Sequence, residues 1–159
     1  MFADCHNLVN LDVSHFDTSR VEDMSQMFDG CEEVENLDVG HFDTSRVTDM
    51  FRMFSWCNSL KSLDVSHFDT SHVTDMFRMF SWCNNLKNLN VSHFDTSHVI
   101  NMNFMFENCE SLESLDIDGF NTSSVKDLSV LLPEYLAVPQ GIRPKTKKLN
   151  GLFRELWGD

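Results

Sequence analysis

Basic residues are scarce in this chain: 12 Lys and Arg stand against 25 Asp and Glu in 159 residues, a net charge of −13. So acidic a body repels phosphate backbones, which argues against nucleic acid as a partner. No apolar run approaches the roughly 18 residues of a membrane span. The opening "MFADCHNLVNLD" lacks the basic region followed by an apolar stretch that marks a signal peptide. No glycine-rich loop is present to cradle a phosphate, and no C-x2-C pair has zinc spacing. The three prolines, Pro133, Pro139 and Pro144, all follow Leu132. Apolar residues make up 42% of the chain, enough for a core and against disorder by composition. The length is that of one domain.

What is present is a repeat. Cys5, Cys31, Cys57, Cys83 and Cys109 each follow the last by 26 residues. On that period the chain aligns without gaps as "LDVSHFDTSRVEDMSQMFDGCEEVEN" from Leu11, "LDVGHFDTSRVTDMFRMFSWCNSLKS" from Leu37, "LDVSHFDTSHVTDMFRMFSWCNNLKN" from Leu63 and "LNVSHFDTSHVINMNFMFENCESLES" from Leu89. The first ten residues are the second half of a copy, and a fading copy, "LDIDGFNTSSVKDLSVLL", starts at Leu115. All nine methionines fall in two columns, Met24/50/76/102 and Met1/27/53/79/105, so each column marks one recurrent environment.

In the third copy Leu63 and Val65 have strand spacing. Met76, Met79, Phe80 and Cys83 follow i, i+3, i+4, i+7, one face of a helix. Between them "DTSHVTD" is rich in turn and N-cap residues, with Thr74 or Asp75 placed to start the helix. Each copy is therefore expected to be strand, turn, short helix, turn. One copy cannot bury both apolar faces alone, whereas stacked copies share a continuous core.

The L-x2-L-x-V pattern resembles a leucine-rich repeat. The 26-residue period with "LDVSxFDTSxVTDMxxMFxxCxxL" resembles, more specifically, the bacterial surface-protein 26-residue-repeat family, the BspA-like leucine-rich repeats, over residues 1 to about 132. The resemblance implies an α/β, leucine-rich-repeat-like solenoid with a parallel sheet. It also implies adhesion or protein binding at a bacterial surface. The expected organisation is a repeat region at 1–132, a proline-containing basic linker at 133–148, and an amphipathic helix at 149–157. In that helix Leu149, Leu152, Phe153, Leu156 and Trp157 share a face and cap the last repeat or dock a partner. Residues 143–159 carry a net +3, leaving −16 on the other 142.

Four kinds of column invite chemistry. The cysteines phase with the buried helix face and read as free thiols filling the core, since stacked side chains point the same way rather than at each other. His15, His41, His67 and His93 read as turn residues donating to carbonyls, or as a metal ladder. Asp17/43/69/95 and Asp23/49/75 read as turn and cap formers. Asp12, Asp38, Asp64, Asn90 and Asp116 alternate with inward residues and form an outward row: a partner-binding surface, a solvated row or a cation row. The central copies add Phe51, Trp56, Phe77 and Trp82. They are expected to pack Phe against the next copy's Trp, or, if exposed, to form a patch in which Phe77 and Trp82 contact a partner.

The Cys/His/Asp set recurs with the same phase, whereas catalysis needs one asymmetric pocket. The expectation is a protein-binding module that catalyses nothing and carries no cofactor. Its rivals are a homo-oligomer assembled through the solenoid ends and a metal-dependent protein.

Overall fold

The computed structural model describes residues 1–125. The helix expected at 149–157 lies outside them. The chain winds as a column of 26-residue coils: 11–36, 37–62, 63–88 and 89–114, preceded by the half-coil 1–10 and followed by the start of a fifth at 115–125.

The expected strand–turn–helix unit and its parallel sheet are not what forms. Among the described residues there is no helix, and strand pairing is limited to isolated parallel bridges. One row of bridges runs Asp23, Asp49, Asp75, Asn101 and the other Asn36, Ser62, Asn88, Ser114. The structure is therefore not a regular α/β solenoid.

Hydrogen-bond direction explains the missing helix. An α-helix requires each N–H to bond the carbonyl four residues earlier. Here the N–H groups of Met76, Arg78, Phe80 and Trp82 instead reach the next coil, donating to the carbonyls of Asn101, Asn103, Met105 and Glu107 at 2.7–3.0 Å. Arg78 and Trp82 have φ of 54° and 62°, outside the helical region. The intervening N–H groups close four-residue turns, Met79 to Met76, Ser81 to Arg78, and Cys83 to Phe80. Successive turns still bring Met76, Met79, Phe80 and Cys83 to one side, and all four are fully buried. The helical spacing thus identified the buried face correctly and the backbone wrongly.

The rest of each coil is built from the same local device. In coil 37–62 the side chains of Asp38, Asp43 and Asp49 accept from the N–H two residues on, at Gly40, Ser45 and Phe51 (2.8–3.1 Å). Such Asx turns give the backbone an alternative to helix and sheet. Asp75, expected to cap a helix, makes the same turn onto Phe77 at 2.7 Å.

The interior is a set of like-on-like columns. Phe28, Phe54, Phe80 and Phe106 stack at 5.6–5.9 Å and are at most 1% exposed. Met24, Met50, Met76 and Met102 are buried, as are Met27, Met53, Met79 and Met105. This packing, not a sheet, carries most of the apolar burial. Thr44 joins coils through polar atoms: its Oγ1 accepts from the Asp69 N–H (2.8 Å) and donates to the Asp69 carbonyl (3.0 Å). Thr96 does the same with Asn121 at 2.7 and 3.1 Å. The residue at this position is buried in every coil, from Thr18 to Thr122.

Candidate functional site

Asp12, Asp38, Asp64, Asn90 and Asp116 are all exposed. Each spends one side-chain oxygen locally, accepting from the N–H of Ser14, Gly40, Ser66, Ser92 and Asp118 at 2.9–3.2 Å. The row thus makes the turn assigned from sequence only to the other aspartates. The hydroxyl and then the N–H of Ser14 hold the Asp12 carboxyl below its ordinary range, and Ser66 does the same for Asp64. Asp17, Asp43, Asp69 and Asp95 form a second exposed row, lowered in the same way by the serine two residues on. Asp49 is shifted upward instead, first by burial and also by the neighbouring Asp75 and Asp23 carboxylates.

The histidine column divides. Nε2 of His41 lies 3.0 Å from the Val13 carbonyl, and that of His93 lies 3.0 Å from the Val65 carbonyl, one coil earlier. A carbonyl only accepts, so both rings donate there. Nδ1 of His67 instead meets its neighbour Ser66 Oγ at 3.2 Å. Among the described residues no group of three or more His, Cys, Asp or Glu side chains is placed to hold a metal ion.

The central aromatics do not pair Phe with Trp. Phe51 stacks on Phe77 at 5.4 Å and Trp56 on Trp82 at 4.3 Å, with planes 9° and 5° from parallel. In-register winding superposes residue i on i+26, so like meets like. All four are half-buried. Arg78 lies over the rings of Phe77 and Phe104, 5.4 and 4.8 Å from their centroids, and pairs with Glu107 at 3.4 Å. Arg52 turns the other way, to Asp29 at 3.2 Å. Burial pushes the Asp29 carboxyl up, and Arg52 opposes that shift.

The cysteines are free thiols, four of them buried. They do more than fill space. The Sγ of Cys31, Cys57, Cys83 and Cys109 donate to the carbonyls of Phe2, Phe28, Phe54 and Phe80, all 29 residues earlier, at 3.1–3.4 Å. Burial raises the Cys31 thiol to about 11 and the Cys109 thiol to about 12, and pushes Cys57 and Cys83 well up.

Sequence reasoning missed the threonine joints and the left-handed positions. The second had a signal. Asp4, Gly30, Trp56, Trp82 and Asn108 share a column and a positive φ, and Asp, Gly and Asn are the residue types that tolerate it. Among the described residues no helix is long and apolar enough to cross a membrane.

A family model described as "Mycoplasma protein of unknown function, DUF285" matches residues 1–113 and 57–143. Neither a curated protein nor a solved structure matches the chain.

Proposed function

The chain belongs to the Mycoplasma family of unknown function DUF285, and from that premise we propose that it is a non-catalytic protein-binding module offering exposed acidic rows to a basic partner. One observation carries the reading. Asp12, Asp38, Asp64 and Asp116, with Asp17, Asp43, Asp69 and Asp95, are exposed, and none is in a salt bridge among the described residues. Rows of like charge repel one another, and the local Asx turns leave one oxygen of each carboxylate free. A cationic partner would relieve that repulsion and gain most at low ionic strength. Phe77 and Trp82 are half-buried in their own stacks, so the acidic rows are the better-supported surface. Adhesion, implied by the resemblance to BspA-like repeats, would be one use of such a module.

Calorimetric titration with a lysine-rich peptide tests this at low and high salt. The Asp38→Asn/Asp64→Asn variant removes two charges while an amide oxygen keeps each turn, as Asn90 does with the Ser92 N–H at 3.2 Å. Expected are salt-sensitive binding and a loss on the order of fivefold in the variant, with a cooperative melting transition retained. Absence of binding, or equal binding by the variant, would overturn the proposal.

A further inference from the structure

A column of histidines runs between the two exposed acidic rows. In coil 63–88 the outward order is Asp64, His67, Asp69, His72, with Val65, Phe68 and Val73 buried between them. His15, His41, His67 and His93 are exposed. So are His72 and His98, which continue a column begun by Arg20 and Arg46. Arg46 pairs with Glu22 at 2.8 Å. The fifth coil has Asp116 and Asp118 but Gly119 and Ser124 in the histidine columns. Six histidines therefore stand among the eight carboxylates of the two rows.

The carboxylates feel these rings. Hydrogen bonds from Ser14 chiefly lower the Asp12 carboxyl, and His15 and His41 add to the effect. At Asp64 the order is Ser66, then His67 and His93. His72 acts on Asp69 after Ser71, and His98 on Asp95 after Ser97, as Arg20 acts on Asp17 after Ser19. Both protonation states of the rings are accommodated. Nε2 of His41 and of His93 donates to its carbonyl whether or not Nδ1 carries a proton. Nδ1 of His67, His72 and His98 meets the hydroxyl of the preceding serine at 3.1–3.3 Å. A hydroxyl donates to the neutral ring and accepts from the charged one. Positive charge therefore enters this face without a change of fold.

We propose that the histidine columns make the acidic face pH-gated, holding a cationic partner at neutral pH and releasing it on mild acidification. The inference rests on the acidic rows being the binding face. An ordinary imidazole changes charge near pH 6.5, whereas a partner's lysines stay charged throughout. Asp12, Asp64 and the Asp17 row, lowered from 3.8, also stay ionised. Asp29 and Asp49, raised mainly by burial, belong to other columns. Between pH 7.5 and 5.5 the field of the face therefore changes through histidine. Each imidazolium takes the counter-ion role that the partner fills at neutral pH, so protonation and partner compete.

The test is calorimetric titration of the whole chain with a lysine-rich peptide at pH 7.5 and 5.5, at one ionic strength. Binding is expected to weaken on the order of tenfold at pH 5.5. The His67→Gln/His72→Gln/His98→Gln variant leaves the two carbonyl-bound rings in place and should weaken by no more than about threefold. The His72→Arg/His98→Arg variant carries the residue type of Arg20 and Arg46 at the same column and should already bind severalfold more weakly at pH 7.5. A cooperative melting transition confirms that each variant is folded. Equal binding at the two pH values by the unaltered chain, or a full tenfold loss retained by the glutamine variant, would overturn the gating and leave the acidic rows standing as the binding face. Absence of binding even at pH 7.5 would overturn the acidic-row reading and the gating with it.

Discussion

Trp56 and Trp82, 26 residues apart, lie face to face with ring centroids 4.3 Å apart, each on a left-handed backbone with φ of 60° and 62°. That conformation costs an L-residue about 1–2 kcal/mol, and an aromatic stack returns about 0.5–1.5 kcal/mol beyond its burial. Backbone and side chain therefore oppose each other at this position.

Replacing Trp82 separates the two terms. Glycine removes both the strain and the stack, while valine removes the stack and worsens the strain, because a β-branched residue is poorly accommodated at positive φ. Trp82→Gly is expected to be more stable than Trp82→Val by at least about 1 kcal/mol, despite its smaller side chain. Urea denaturation of the two variants measures the difference.

The same backbone has two simpler positions in the first coil. Gln26 is exposed with φ of 54°, so Gln26→Gly should raise stability by about 0.5–1 kcal/mol. Gly30 has φ of 74°, and an added Cβ would lie 3.2 Å from the Asp4 Cα. Gly30→Ala should therefore lower the melting temperature while Gln26→Gly raises it.

Threonine hydroxyls are joints between coils, whereas the adjacent serines lie outside them. Thr44→Val leaves the Asp69 N–H without its partner at 2.8 Å and should cost about 1–3 kcal/mol. Ser45 is exposed, and Ser45→Ala should change stability by less than about 0.5 kcal/mol. Faster hydrogen exchange at the Asp69 amide in Thr44→Val alone is the local readout.

The buried columns should show unequal tolerance to truncation. Phe68→Ala is expected to cost about 3–5 kcal/mol, and Cys83→Ala about 1–2 kcal/mol for a small cavity and one weak hydrogen bond. Burial raises the thiols of Cys31, Cys57, Cys83 and Cys109, which keeps them protonated and inert at neutral pH. Alkylation of the folded chain should modify Cys5, the half-buried one, and the others only in denaturant.

Acid should weaken the fold through its turns. Asp12, Asp17, Asp23, Asp43, Asp64, Asp69 and Asp95 are lowered from 3.8 in the folded state by hydrogen bonds to the serine two residues on. A depressed carboxyl contributes stability above its unfolded value and loses it as pH falls through the folded one. Asp29 and Asp49, raised mainly by burial, act with opposite sign and are fewer. Melting temperature should hold from pH 7 to about 5 and fall below about 4. A curve that rises below pH 4 would contradict this account.

The candidate site was partly legible in the residues. The Asp12 row was read as outward and is exposed, yet its turn-forming role was assigned only to the Asp17 and Asp23 columns, because the alternation around it looked like a strand. The central aromatics invite pairing of Phe with the next copy's Trp, whereas Phe77 stacks on Phe51 and Trp82 on Trp56. Their like-on-like stacking follows from register alone, which no single copy displays.

The spacing of five cysteines and nine methionines determined, without coordinates, that the chain is a 26-residue repeat, and the apolar columns on that period determined which side chains are buried between stacked coils. Burial depends on apolar residues recurring at the same place in each copy, and that survives any winding that brings Met76, Met79, Phe80 and Cys83 to one side. Whether those residues sit on a helix was decided by the destination of each N–H. The carbonyl of Asn101 lies 25 residues from the Met76 N–H in sequence and 2.9 Å from it in space. That choice between a local and a neighbouring-coil acceptor exists only once the coils are stacked, so only the tertiary structure could make it.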